Sequence, residues 1–315
     1  MKGLYLYMGD HFYSANKYMR ERFGSKVYRL SLDGGMTCPN RDGTLGTGGC
    51  IFCLEGSGHF SEGIMGDVSL QIEKAKKRVA AKAGNDARYI AYFQSYTNTY
   101  APVSRLRALF MPISERDDIT AISIATRPDC LQDGVLDLLE ELSLKKPLFV
   151  ELGLQTSNES TAGYIRRCYG NSVYIDAVKN LKSLGINVIT HMILGLPGEG
   201  IDDMVNTARF ISESGSDGIK FQLLHVLKGT DLAENYEAGL FDTLSLEEYA
   251  TILECCIRSI RPEMVIHRIT GDGPKRYLIA PLWSADKKKV LNYLNRCFEE
   301  DKLVQGSDCI KNNLE

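Results

Sequence analysis

Six short runs of strand-forming residues recur along the chain, each separated from the next by a stretch of helical periodicity. VYRLSL (27–32), RYIAYF (88–93), ITAISIA (119–125), LFVELGL (148–154), NVITHMIL (187–194) and GIKFQLLH (218–225) read as strands. Several are apolar almost throughout, the pattern of parallel strands buried on both faces. Helices are expected around 67–83, 102–112, 131–143, 172–184 and 200–214, with another at 245–260. This alternation implies a parallel sheet covered by helices, either an open doubly wound sheet or a barrel.

The residues at the strand ends favour the barrel. Cys38 follows the first strand, Gln94 and Ser95 the second, Thr126 and Arg127 the third, and Gln155 the fourth. His191 lies within the fifth and His225 closes the sixth. A parallel α/β barrel builds its chemistry on that one rim, whereas an open sheet gathers it at a single switch point. The expected fold class is therefore α/β, a partial (β/α)6 TIM-like barrel with a C-terminal extension. An N-terminal extension is expected over 1–26, the barrel core over 27–261, and an extension packed on the barrel over 262–315.

Hydrophobic content of 44% and charged content of 24% over 315 residues suit a soluble protein with a well-buried core. No apolar run is long enough to cross a bilayer. The start, MKGLYLYMGDHFYSANKY, lacks the apolar core and cleavage site of a secretory signal. A cytoplasmic location is expected, with no membrane partner. The net charge of -3 gives no global reason to bind nucleic acid. KAKKR (74–78), Arg166-Arg167 and KKK (287–289) are local basic clusters, each of which also reads as a solvated helix face.

Nine cysteines in a reducing compartment point to metal or catalytic use rather than to disulfides. Three stand in CPNRDGTLGTGGCIFC (38–53), spaced C-x11-C-x2-C. Structural zinc takes four ligands, usually from two knuckles, and the nearest fourth ligand here is His59. A set of ordinary buried cysteines fits poorly with GTLGTGG, which buries little. The third reading is an iron–sulfur cluster, in which three thiolates hold three irons of four and leave the last open to another ligand. Gly46, Gly48 and Gly49 suit it, because they let backbone fold tightly around a bulky cofactor. They make no dinucleotide fingerprint, since Ile51 stands where the third glycine belongs. The remaining six cysteines include no C-x2-C pair, so no second cluster is expected.

These residues resemble the radical S-adenosylmethionine (SAM) superfamily. The resemblance implies that Cys38, Cys50 and Cys53 hold a [4Fe-4S] cluster whose open iron chelates the amino and carboxylate groups of SAM. It implies also that an electron from a reductant such as flavodoxin or ferredoxin passes through the cluster to SAM. Cleavage then yields a 5′-deoxyadenosyl radical that abstracts hydrogen from a substrate. The x11 gap is longer than the usual x3, as it is in some branches of the superfamily. Phe52 occupies the place of an aromatic residue beside the adenine. ATRPDC (125–130) and VELGLQ (150–155) are similar to stretches in the catalytic subunit of the elongator tRNA-modifying complex. TCPNRDGT, RITGDGP and APLWS extend the likeness to a bacterial branch of small, elongator-like radical SAM proteins.

By the same resemblance Gln155 and Arg167 contact SAM, at a spacing shared with oxygen-independent coproporphyrinogen oxidase. His191 and Leu196, in HMILGLPGE (191–199), also belong to the cofactor site. FQSYTN (93–98) replaces the family's glycine-rich second-strand motif, so Gln94 and Ser95 become the nearest acceptors for the SAM amino group. Ala125 stands where elongator has glutamate.

Each residue also has a plainer reading. Arg167 is a surface arginine on a helix, with Arg166 as its rival. Glu151 is a salt-bridged structural carboxylate. His191, His225 and His267 are hydrogen-bonded core residues, although His191 and His225 are the catalytic candidates. Gly195, Pro197 and Gly198 form a strand-to-helix turn. The elongator likeness implies a tRNA wobble uridine as substrate, with the basic clusters and Tyr89, Tyr92, Tyr96 and Tyr100 supplying phosphate contacts and a stacking surface. A small-molecule substrate and a non-radical, zinc-stabilised barrel are the alternatives.

Overall fold

A computed structural model describes residues 11–54, 67–84, 87–271 and 273–311. The apolar runs emerge as parallel strands: β1 (Val27–Leu32), β2 (Arg88–Phe93), β3 (Ile119–Thr126), β4 (Leu148–Gln155), β5 (Asn187–Leu194) and β6 (Gly218–Leu223). Helix α1 (Ala15–Phe23) precedes them. Between them run α2 (Val68–Val79), α3 (Val103–Ser114), α4 (Asp133–Lys145), the short α5 (Glu159–Tyr164), α6 (Asn171–Ser183) and α7 (Ile201–Glu213). Beyond β6 come β7 (Val226–Leu227), α8 (Asp231–Glu237), α9 (Leu246–Ser259), β8 (Val265–Arg268), β9 (Leu278–Ala280), α10 (Lys287–Glu300) and α11 (Ser307–Lys311).

The sheet order is β1-β2-β3-β4-β5-β6-β8, every pairing parallel, and β7 pairs antiparallel with β9. This is the expected α/β half-barrel, with one strand more than the six read from sequence. VIHR was placed within the C-terminal extension. It instead pairs with β6 through Gly218, Ile219 and Lys220 and completes the sheet.

The outer face of the sheet packs under the helices in one large apolar core that includes Phe93, Phe110, Tyr174, Phe221 and Tyr249. The inner face is layered, because alternate residues of a strand point the same way. At the end where the strands begin, Ile90, Ala121, Phe149 and Ile189 pack against Met19 of α1, with Tyr18 and Phe23 beside them. Helix α1 thus stoppers that end. Ser14 supports the placement by capping the helix through the Lys17 N–H and bridging to Ile266. One layer higher, side chains of the two edge strands meet, with Arg29 Nη2 of β1 lying 3.0 Å from His267 Nδ1 of β8.

Candidate active site

The loop after β1 carries the three cysteines to the open end. Its turns are closed by main-chain bonds: Arg41 N–H to Cys38 O and Leu45 N–H to Pro39 O, each 2.8 Å, and Cys53 N–H to Cys50 O at 3.0 Å. Gly43 and Gly49 adopt φ of 93° and 71°, the left-handed region that disfavours a side chain. Ile51 anchors the loop. Its N–H bonds Ile165 O at 3.4 Å, its carbonyl accepts the Leu232 N–H at 2.9 Å, and its side chain is buried.

All three cysteines are free and partly buried. Burial first, and then the neighbouring Cys53, push the Cys50 thiol up to about 12, and burial also raises Cys53. Cys38 contributes to both shifts, so the three sulfurs share one electrostatic environment. Positive charge acts in the opposite sense: Arg127 on Cys50, and Arg41 on Cys53. Thiols kept protonated by burial become ligands when a metal centre supplies compensating charge. Among the described residues no three His, Cys, Asp or Glu side chains converge tightly enough to hold a single ion. The donor set, three soft sulfurs flanked by cations and by glycines, fits an iron–sulfur cluster. His59, the fourth ligand of the zinc reading, lies outside the described residues.

Backbone strain concentrates around this loop. Of the five non-glycine residues with positive φ among the described residues, Gln155 (70°) ends β4, Arg166 (58°) and Cys168 (65°) lie between β4 and α6, and Tyr96 (56°) follows β2. Such residues persist where their surroundings over-determine them, commonly at functional sites. The Arg166 carbonyl shows how: it accepts Asn40 Nδ2 at 2.7 Å and lies 3.6 Å from Cys50 Sγ and 3.3 Å from Cys168 Sγ.

The residues expected at SAM divide into groups. Gln155 ends β4 with a buried Oε1 that has no hydrogen-bond partner, an acceptor open to a ligand hydroxyl. Phe52 packs on an apolar cluster that contains Ile193 and Leu196, so these two are brought together. Gln94 is half-buried at the end of β2, while Ser95 is fully buried. Arg167 is 2% exposed and has every donor engaged. Its Nε bonds Tyr169 O (2.8 Å), Nη1 bonds Leu154 O (3.3 Å) and Thr156 O (2.6 Å), and Nη2 bonds Glu159 (3.0 Å) and Asn171 (3.1 Å). It clamps the end of β4 to α5 and α6. Arg166 pairs instead with Asp231 at the surface.

Sequence reasoning placed Arg127 at the rim without giving it a role, and passed over Asn98. Arg127 grips Asp129 through two bonds of 2.9 and 2.7 Å and projects its charge on Cys38 and Cys50. Asn98, wholly buried, donates to Phe93 O and Ala125 O at 3.2 and 2.9 Å, leaving Oδ1 unpartnered near Gly34. Their signal was position alone, just past β3 and β2.

Below the rim the half-barrel holds a polar layer centred on Glu151, which is 1% exposed. Glu151 Oε1 accepts Ser123 Oγ at 2.8 Å; Oε2 meets His191 Nε2 at 2.7 Å, Tyr92 OH at 3.1 Å and Lys220 Nζ. Gln222 Nε2 lies 3.2 Å from His191 Nδ1. Burial alone would raise the Glu151 carboxyl, but the Lys220 ammonium, then His191, hold it well below the usual range. Burial lowers Lys220 to about 7 and His191 to about 4, so His191 is neutral at pH 7. Lys220 was missed as one lysine inside an apolar strand. Tyr92, read as a stacking residue, belongs to this layer.

Two other readings are placed elsewhere. His225 is held between glycines of the RITGDGP segment, where a Cβ on Gly271 would stand 2.7 Å and on Gly273 2.8 Å from its ring. Lys76 of KAKKR pairs with Asp118, which immediately precedes β3, and lies over the Tyr89 ring at 5.4 Å. Both contacts are at the stoppered end, so Lys76 and Tyr89 do not flank the cysteine loop.

Comparison with known proteins agrees with this architecture. The chain is 45% identical over 296 residues to YtqA of Bacillus subtilis, covering 94% of this chain and 92% of that protein. It is 38% identical to YhcC of Escherichia coli, covering 92% of each. The structure of the archaeal Methanocaldococcus infernus Elp3 superposes with a TM-score of 0.67 at 18% identity, over 89% of this chain and 64% of that one, a likeness of fold. The radical SAM C-terminal domain model matches residues 216–300, and the radical SAM superfamily model matches residues 42–211. The chain belongs to the radical SAM superfamily, whose members use a [4Fe-4S] cluster and SAM.

Proposed function

We propose that this chain is a radical SAM enzyme that acts on the C5 side chain of a tRNA wobble uridine, with Cys38, Cys50 and Cys53 holding the [4Fe-4S] cluster. The observation that carries the ligand assignment is the loop itself, with three mutually influencing thiols on a glycine-rich turn at the open end of the half-barrel. When bound, the reduced cluster and SAM supply a 5′-deoxyadenosyl radical that takes hydrogen from a substrate carbon.

The protein's own groups bind and orient. Gln155 offers its free acceptor to a ribose hydroxyl, and Phe52 and Leu196 offer apolar surface to the adenine. Gln94, half-buried just past β2, would offer its side-chain amide to the SAM amino group. Glu151 stays ionised and fixes His191 and Lys220, the two groups beneath the rim able to hold or release a proton. His191 is neutral, with its Nε2 oriented by the carboxylate. The apolar plug under α1 excludes water from below.

Support for tRNA comes from the elongator-like ATRPDC and VELGLQ stretches and from exposed cations on the site side. Lys228, Lys275 and Arg276 flank the β7–β9 pair that follows the C-terminal end of β6, where Lys228 N–H bonds Tyr277 O at 2.8 Å. Tyr100 OH, 2.8 Å from Thr44 Oγ1, borders the cysteine loop. A flavodoxin or ferredoxin is the proposed electron donor.

Anaerobic reconstitution tests the chemistry: about four irons per chain and 5′-deoxyadenosine formation under dithionite are expected. A colourless protein with one zinc would overturn it. Nucleoside mass spectrometry of tRNA from a deletion strain tests the substrate, and tRNA affinity should fall steeply with salt. An unchanged wobble-uridine profile with no salt-dependent tRNA binding would leave a small-molecule substrate.

A further inference from the structure

The segment separating Cys38 from Cys50 folds back onto the other two thiols. Asn40 is buried, 2% exposed, with its Nδ2 lying 3.5 Å from Cys50 Sγ. The same nitrogen donates to Arg166 O at 2.7 Å, which fixes its direction. The next residue serves the third cysteine. The Arg41 guanidinium donates to the Cys53 carbonyl, which holds its positive charge beside the Cys53 thiol. It lies against Gly49, where a Cβ would stand 2.9 Å from Arg41 Cζ, so a side chain there would displace it. Gly49 in turn donates its N–H to Asn40 O at 2.8 Å. One dipeptide therefore places a donor on the sulfur of Cys50 and a cation on the main chain of Cys53.

A sulfur bound to iron gains negative charge when its cluster is reduced, so a fixed donor or cation beside it favours the reduced form. We propose that Asn40 and Arg41 are positioning residues that raise the reduction potential of the cluster through Cys50 and Cys53. The remainder of the eleven-residue gap folds back on them, with the Gly49 N–H on Asn40 O, and so sets the dipeptide against the two cysteines that close the loop. The inference rests on the ligand assignment above.

The test is the midpoint potential of the reconstituted cluster, followed by electron paramagnetic resonance during a redox titration. It compares the wild type with Asn40→Leu, Asn40→Asp and Arg41→Met, with iron content and circular dichroism measured alongside. Losing one charge-assisted donor is expected to cut the reduced fraction at fixed potential about tenfold, a shift of about 59 mV to more negative values for one electron. Asn40→Asp should shift it at least as far, and Arg41→Lys, which keeps a cation, should recover part of the loss. Cluster-bearing variants with the wild-type potential would overturn this inference and leave the ligand assignment intact. Folded variants that all lose the cluster would assign the two side chains to holding the loop, and would overturn it too. A wild type that takes up no four-iron cluster would overturn the ligand assignment and this inference together.

Discussion

The two ends of the half-barrel are built on opposite principles. The stoppered end is hydrocarbon: Ile90, Ala121, Phe149 and Ile189 meet α1 in ordinary packing. The open end is a loop of left-handed glycines, three thiols, strained non-glycine residues and polar atoms without partners. One end holds the barrel together, and the other spends conformational energy to hold a cofactor. The difference teaches where stability and chemistry are separable, and substitutions at each end should show it.

The largest contrast lies between the cysteines and the plug. Cys38→Ala, Cys50→Ala and Cys53→Ala should each abolish cluster retention and SAM cleavage. Their cluster-free forms should unfold at denaturant midpoints close to that of the cluster-free wild type. Phe149→Ala, at 2% exposure in the plug, should cost about 3–5 kcal/mol in the same measurement. Full 5′-deoxyadenosine production by any cysteine variant would break the ligand assignment, and an unmoved midpoint for Phe149→Ala would break the role of the plug.

The next contrast is between adjacent arginines. Arg167→Lys replaces a planar fork whose bonds reach three carbonyls and two side chains, and should cost about 3 kcal/mol of folding stability. Arg166→Lys, in a pair whose side chains are 40% and 55% exposed, should change it by less than about 1 kcal/mol. SAM affinity that falls for Arg167→Lys with stability intact would instead make Arg167 a ligand contact first.

These cases show what could be read before the fold was known. The six strands were legible because each is a run of apolar residues bounded by polar ones. VIHR was not: it is four residues long, and it becomes a strand only because β6 offers an edge. The cysteines were legible by type and spacing. Lys220 was hidden because register, not composition, decides that it faces Glu151 rather than solvent. Asn40 and Arg41 were hidden for a related reason. In CPNRDGT they read as turn residues, and only the closed loop shows what their side chains reach.

The polar layer lies between the two ends, and its pH response decides to which it belongs. Burial, then the Lys220 charge, lowers the folded-state pKa of His191 from 6.5 to about 4. Between those values the unfolded chain binds a proton that the folded chain refuses, so stability is complete above pH 6.5 and is lost as pH falls toward 4. The loss attributable to this residue is on the order of 3 kcal/mol. His191→Gln removes the titration while retaining an N–H for Glu151, so its stability should fall less steeply across that window. Urea titrations of both cluster-free proteins at pH 4.5 and pH 7 read the difference. Parallel pH profiles would mean that the layer is solvated and belongs with the open rim. A flattened profile in the variant would place it with the buried frame on which the rim is built.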